Sequence, residues 1–197
     1  MSNKVRIAIV GCGGIANQKH MPSIKAQGEK AEMVAFCDIL VERAEKAAAQ
    51  YGCEGAKVYT DYKEMLADTS IEIDAVHVCT PNVSHCPITV AALDAGKHVM
   101  CEKPMAHNTE DAQKMLDAWK RSGKLFTIGY QNRFRVDTQT LHAACEAGEL
   151  GEIYFAKAHA LRRRAVPTWG VFPNKAIQGG GPLIDIGTHA LDITLWM

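Results

Sequence analysis

The sequence predicts an α/β protein: a doubly wound parallel sheet, followed by the beginning of a mixed α/β unit with an open sheet. Three observations predict it. Short apolar runs alternate with helix-period segments from Val5 to Ile128. The first run ends in Gly11-Cys12-Gly13-Gly14-Ile15-Ala16, a glycine turn that opens straight into a helix. After about Tyr130 the alternation stops, which sets a domain boundary there and divides the chain into 1–130 and 131–197.

The elements follow in order. Val5–Val10 reads as a buried strand, and a helix is expected from Gly14 to Gln27, ended by Gly28. Met33 to Cys37 is a second strand, and Val41 to Tyr51 a second helix stopped by Gly52. A short strand near Lys57–Tyr59 precedes Asp61 and Glu64, whose capping-box spacing opens a short helix through Ala67. Ile73 to Cys79 is a strand that ends at Thr80-Pro81-Asn82. The next helix carries Ile88, Ala91, Ala92 and Ala95 on one face, with Gly96 just past its end. His98 to Cys101 is a strand ending at Glu102-Lys103-Pro104. Asn108 caps a helix with Ala112, Met115, Leu116 and Trp119 as its expected buried stripe, and Leu125 to Ile128 closes the series. Beyond it, Thr138 to Ala147 reads as a helix and Gly151 to Leu161 as a longer strand. Arg162 to Pro173 reads as a loop, and a final helix follows Gly179-Gly180-Gly181-Pro182.

Composition narrows the function. The 197 residues are 47% hydrophobic, enough for a sizeable core, and 22 basic side chains balance 22 acidic ones. That balance disfavours a general nucleic-acid or anionic-membrane partner. No apolar stretch approaches the roughly 18 residues of a membrane span. Lys4 and Arg6 ahead of Ile9-Val10-Gly11-Cys12 imitate a lipoprotein leader, but the unbroken apolar run Ile7–Val10 is too short for one. The seven cysteines are odd in number and lack a C-x-x-C pair, so free thiols in a reducing cytoplasm are expected.

The strand ends carry the chemistry. In a G-x-G-x-x-A turn, Gly11 permits the tight bend, Gly13 leaves room for a pyrophosphate, and Ala16 lets helix and strand pack closely. The phosphates would meet free N–H groups at the helix start, near Gly14 and Ile15. Asp38 lies 22 positions after Ala16, the spacing at which an acid meets the adenosine ribose. No basic residue follows it until Arg43, so NAD is expected over NADP. The other reading of Asp38 is a helix cap. Thr80, Pro81, Asn82, Glu102 and Lys103 occupy further strand ends, and His85 lies close by, within reach of cofactor or substrate. An ammonium at Lys103 suits a developing alkoxide. In the final helix Asp185, His189, Asp192 and Trp196 share one face, with Ile186, Ala190 and Ile193 on another. Asp185 one turn before His189 is a general-base arrangement, although D-x-x-x-H in isolation is more often a solvated face or a structural hydrogen bond. No zinc-type Cys/His spacing and no nucleophile elbow is present, so no metal is expected.

Taken together, several motifs resemble one family. They are Gly11-Cys12-Gly13-Gly14-Ile15-Ala16, Thr80-Pro81-Asn82 with His85, and Ala95-Gly96-Lys97-His98-Val99 leading to Glu102-Lys103-Pro104. Gly129 with Arg133-Phe134, and Gly179-Gly180-Gly181-Pro182-Leu183-Ile184-Asp185-Ile186-Gly187-Thr188-His189, complete the set. Their order along nearly the whole chain resembles the Gfo/Idh/MocA family. The resemblance implies a Rossmann domain, a nicotinamide cofactor, and a sugar or polyol substrate. It implies that Lys103, Asp185 and His189 are catalytic: His189 takes the hydroxyl proton, Asp185 holds His189, and Lys103 bonds the hydroxyl. Trp169, in the arginine-rich segment from Arg162, would lie near the cofactor–substrate junction. That segment is most similar to bacterial sugar and glycoside dehydrogenases. The family's members are longer, so the chain is expected to be a fragment lacking most of the second sheet, which in a full-length protein would form a homo-oligomer interface. Two other readings stay open on the same residues: a glycosidase that uses NAD transiently, and a non-catalytic NAD-binding regulator.

Overall fold

The computed structural model describes residues 4–161, 163–164 and 166–197. Its centre is a six-stranded sheet in the order β3-β2-β1-β4-β5-β6, with every neighbouring pair parallel. The strands are β1 Val5–Val10, β2 Ala31–Cys37, β3 Lys57–Tyr59, β4 Ala75–Val78, β5 His98–Cys101 and β6 Phe126–Ile128. The order turns back at β1, where the chain crosses from β3 to β4, so the crevice between the ends of β1 and β4 is the switch point that favours ligand binding.

Alternate side chains of β1 enter two separate cores, as the strand period of two requires. Ile7 and Ile9 join Met21, Ile24, Phe36, Ala44 and Ala47 on one face. Ala8 and Val10 join Met65, Ile88, Leu93, Met115 and Ala118 on the other. The first face is covered by α1 Met21–Lys25 and α2 Val41–Tyr51. The second is covered by α3 Tyr62–Ala67, α4 His85–Asp94 and α5 Thr109–Ser122. Local chemistry sets the helix ends. Asp61 accepts from the Lys63 N–H (2.8 Å) and Asn108 from the Asp111 N–H (2.8 Å), while Gly123 ends α5 at φ +64°.

The helix after the glycine turn is not uniform. It opens at Gly14 and widens into a π-turn over Ala16–His20, where the Met21 N–H reaches back five residues to the Ala16 carbonyl. Pro22 has no N–H to give the carbonyl one turn before it, which accounts for the local loss of the α pattern. A second π-turn, Leu183–Gly187, leads into α8 Thr188–Trp196. Between them, α6 spans Val136–Glu146 and α7 Lys175–Gln178.

Two expectations are corrected. Trp119 lies exposed on α5, and Ala118, three residues after Met115 and so on the same helix face, takes the buried position instead. The strand expected over Gly151–Leu161 is not formed. Among the described residues no strand pairs with this segment, and Tyr154 is 95% exposed, so neither ladder nor buried face holds it extended.

Candidate active site

The glycine turn is built by backbone constraints. Gly11 has φ +91°, and a Cβ there would lie 2.7 Å from the Cys79 carbonyl carbon and oxygen. Only glycine permits both the torsion and this approach of β1 to the end of β4. Asn17 donates its side-chain amide to the Cys12 and Gly13 carbonyls (2.7 and 2.8 Å) and so fixes the turn from the helix side. Its N–H makes the helix's first backbone bond, to Gly13 O (3.0 Å). The N–H groups at Gly14, Ile15 and Ala16 therefore precede any helical acceptor, and a Cβ at Gly13 would meet nothing within 4 Å. Ala16 is fully buried against the sheet, as its close-packing role requires, and Ile15 is exposed at the turn. This combination of open space and free donors fits a pyrophosphate.

Asp38 stands at the end of β2 beside the turn. One carboxylate oxygen accepts the Cys12 N–H (2.8 Å) and the other the Leu40 N–H (3.0 Å). Asp38 does not cap α2, whose N-cap position is Leu40 with no side-chain cap bond; it buttresses the glycine turn and keeps further acceptor capacity for hydroxyls. The Cys12 and Cys37 thiols alongside are pushed up to about 12 by burial and stay protonated. All seven cysteines are free.

At the end of β4, Thr80 Oγ1 is buried without a hydrogen-bond partner, an orphan that a bound ligand would satisfy. Pro81 leads into a short 3-10 turn, Asn82–Ser84, and Asn82 donates to the Gln178 carbonyl (3.0 Å). His85 departs from its expected role. It is fully buried, and its two ring nitrogens lie 2.8 Å from Pro104 O and 2.9 Å from Thr80 O. Burial pushes His85 below the ordinary imidazole range, so the neutral ring donates its one N–H to one of these two carbonyls and packs between the strand-end loops that carry them.

Beyond β5, Glu102 and Lys103 point to different partners. Glu102 Oε1 lies 2.7 Å from His20 Nε2, and Oε2 accepts the Lys103 N–H (3.2 Å). The Lys103–Pro104 peptide is cis. Lys103 Nζ donates to both the Asp185 carbonyl and its Oδ1, each at 3.0 Å. Lys103 and Asp185, 82 positions apart, thus form one ion pair at the sheet's C-terminal edge.

His189 lies one turn after Asp185, at the start of α8. The expected Asp185–His189 hydrogen bond is absent among the described residues, because Asp185 is turned to Lys103; its charge still acts on the imidazole through space. His189 Nδ1 is buried without a partner, and the ring meets Tyr130 edge-on at 6.4 Å. Tyr130 in turn bonds Thr188 Oγ1 (2.9 Å). Burial first, and then the Lys103 charge, pushes His189 below the ordinary imidazole range. Arg133 clasps the buried Asp192 with Nε at 3.0 and 2.9 Å, fixing α8 from the other side.

Trp169 is more than half exposed and packs edge-on against Phe172, with no hydrogen bond to the strand ends among the described residues. Of the three-arginine run, Arg162 lies outside the described residues, and Arg163 and Arg164 are exposed. Among the described residues no three His, Cys, Asp or Glu side chains converge as a metal would need. No helix among them is long and apolar enough to cross a membrane. Sequence reasoning missed Asn17, Tyr130 and Thr188, whose roles rest on contacts no spacing encodes.

Comparison with known proteins matches this geometry. Residues 5–130 match the family model described as "Oxidoreductase family, NAD-binding Rossmann fold", and residues 138–197 match the GFO/IDH/MocA C-terminal domain. A D-glucoside 3-dehydrogenase of Escherichia coli (strain K12) is 44% identical over 196 residues, covering 100% of this chain and 54% of its own length. An inositol 2-dehydrogenase of Salmonella typhimurium is 30% identical, covering 98% of this chain and 54% of its own length. The chain spans about half the length of the curated relatives it matches. Among solved structures, the WlbA dehydrogenase from Bordetella pertussis, in complex with NADH and UDP-GlcNAcA, superposes with a TM-score of 0.83 at 29% identity, over 100% of this chain and 56% of that one. With the glycine turn and the parallel sheet in place and both family models matched, the chain belongs to the Gfo/Idh/MocA family of oxidoreductases, whose N-terminal part is an NAD-binding Rossmann fold.

Proposed function

We propose that the protein is an NAD-dependent dehydrogenase acting on a secondary hydroxyl of a sugar or glycoside, with His189 as acid/base and Lys103 and Asp185 beside it. The observation that carries this reading is the Lys103–Asp185 pair at the sheet's C-terminal edge, with His189 one helical turn away. Bound NAD supplies the hydride acceptor. His189, held below its usual range, is neutral at pH 7 and ready to take the hydroxyl proton. Lys103 donates to the same oxygen as negative charge grows there. Asp185 keeps the ammonium of Lys103 aimed. Gly13 and the free N–H groups of the first turn hold the pyrophosphate, Asp38 accepts from the ribose hydroxyls, and Thr80, Pro81 and Asn82 form the adjoining wall.

Similarity to a protein named D-glucoside 3-dehydrogenase favours a glycoside over an inositol. The test is NADH formation with a panel of free sugars, inositols and glycosides. A glycoside is expected to give steady NADH accumulation, and His189→Ala to lower kcat by roughly 10²- to 10⁴-fold. Aglycone release without NADH accumulation would replace this reading with a redox-assisted glycosidase. Unchanged turnover in His189→Ala would remove the acid/base assignment.

A further inference from the structure

We propose that His20 is a positioning residue for this reaction: from the helix that follows the phosphate turn it holds the Glu102 carboxylate, and through Glu102 the backbone that carries Lys103. The inference rests on the functional reading above and adds a residue to it. His20 closes the π-turn Ala16–His20 and is buried. Its Nε2 meets Glu102 Oε1 at 2.7 Å, and its Nδ1 meets His77 Nδ1 at 3.1 Å. The second oxygen of Glu102 accepts the N–H of Lys103. The β5–β6 ladder ends at Cys101, so this bond secures the Lys103 backbone where the sheet no longer does.

Three further observations support the clamp. At 3.1 Å one of the two facing Nδ1 atoms must donate and the other accept, and burial pushes His77 down to about 4, so a neutral His77 orients the His20 ring. Glu102 is buried, and burial alone pushes its carboxyl up. The His20 hydrogen bond and charge, with the Lys103 N–H and ammonium, outweigh this and hold it below the ordinary glutamate range. A Cβ on Gly129 would lie 3.3 Å from Glu102 Oε1, so the seat of the carboxylate depends on a glycine across the sheet. Glu102 contacts His20 and the Lys103 N–H, and it interacts through space with His77 and Cys79 from β4 and its end, His85 from α4, Cys101 from its own strand, and His189 from α8. The helix that receives the cofactor phosphates is thereby fastened to the strand end that carries Lys103.

Three variants test this. His20→Leu removes both bonds, His20→Asn keeps polarity but falls short of Glu102, and His20→Gln restores a donor near Nε2. The Leu and Asn variants are expected to lose about ten- to a hundredfold in kcat with the KM for NAD nearly unchanged, and Gln to recover most of it. Independently of turnover, carboxyl-carbon NMR of Glu102 in cofactor-free protein is expected to show its titration moving upward in Leu and Asn and back in Gln. The Asn variant carries the test should Leu not fold. Wild-type Glu102 titration or wild-type kcat in the Leu and Asn variants overturns the proposal, as does a Gln variant no better than Asn. Absence of NADH formation by the wild-type protein strikes the functional reading instead, and the titration still decides whether His20 holds Glu102.

Discussion

At the scale of single residues, Asp38 joins two duties. It accepts the Cys12 N–H that shapes the phosphate turn, and in the proposed function it also accepts from the ribose hydroxyls. Asp38→Asn keeps an acceptor and loses the charge that repels a 2′-phosphate. NAD binding is expected to weaken about tenfold, near 1.4 kcal/mol, while NADP binding improves relative to it. A nicotinamide-fluorescence titration measures both, and an unchanged NAD-to-NADP ratio would remove the ribose role. Gly11, Asp38 and Lys103 were legible in the sequence because each sits at the end of an apolar run, where strand chemistry makes residue type informative. The partner of Asp185 was not. Helical spacing points Asp185 at His189, whereas the fold offers it an ammonium from 82 positions away. His85 shows the same limit, since a histidine beside a strand-end loop reads alike whether it touches a ligand or is buried between two backbone carbonyls.

At the scale of elements, the parallel sheet was legible almost residue by residue. Strands buried on both faces read as unbroken apolar runs, and the caps between them are local. Asn108 is one of these local signals, and its side chain accepts the Asp111 N–H at the start of α5. Asn108→Ala is expected to cost about 1 kcal/mol, read as a lowered denaturation midpoint with an unchanged slope. Tm unmoved in that variant would mean the cap adds nothing. The segment Gly151–Leu161 marks where such reading stops. Its apolar and aromatic residues suggest a strand, but a strand exists only when a neighbour takes its hydrogen bonds, and pairing partners are not written into a local pattern. The π-turn at Ala16–His20 was equally invisible, although Pro22 in the following turn gives it a cause.

At the scale of the whole molecule, one buried histidine makes stability depend on pH. His77 lies in β4 at about 4, below the ordinary imidazole value near 6.5 that applies in the unfolded chain. Between those values the unfolded state binds more protons, so stability rises with pH across this window and falls as pH drops through it. Denaturant titrations from pH 7 to pH 4 are expected to show that loss, and His77→Asn to flatten it. An equal slope in the variant would assign the effect to other groups. A second consequence follows from how α8 is attached. Lys103–Asp185, Tyr130–Thr188 and Arg133–Asp192 all bridge the sheet edge to one C-terminal helix and its π-turn. The two large apolar cores lie elsewhere, within the sheet and its own helices. These bonds can therefore open together without disturbing the sheet. Amide exchange is expected to be faster throughout 183–196 than in β1, β4 and β5, and lost protection there should precede loss of the phosphate turn. Warming or mild denaturant would then leave a phosphate turn still able to grip a dinucleotide after the segment carrying His189 has swung away, so that, on the proposed function, turnover would be lost at a lower temperature than binding.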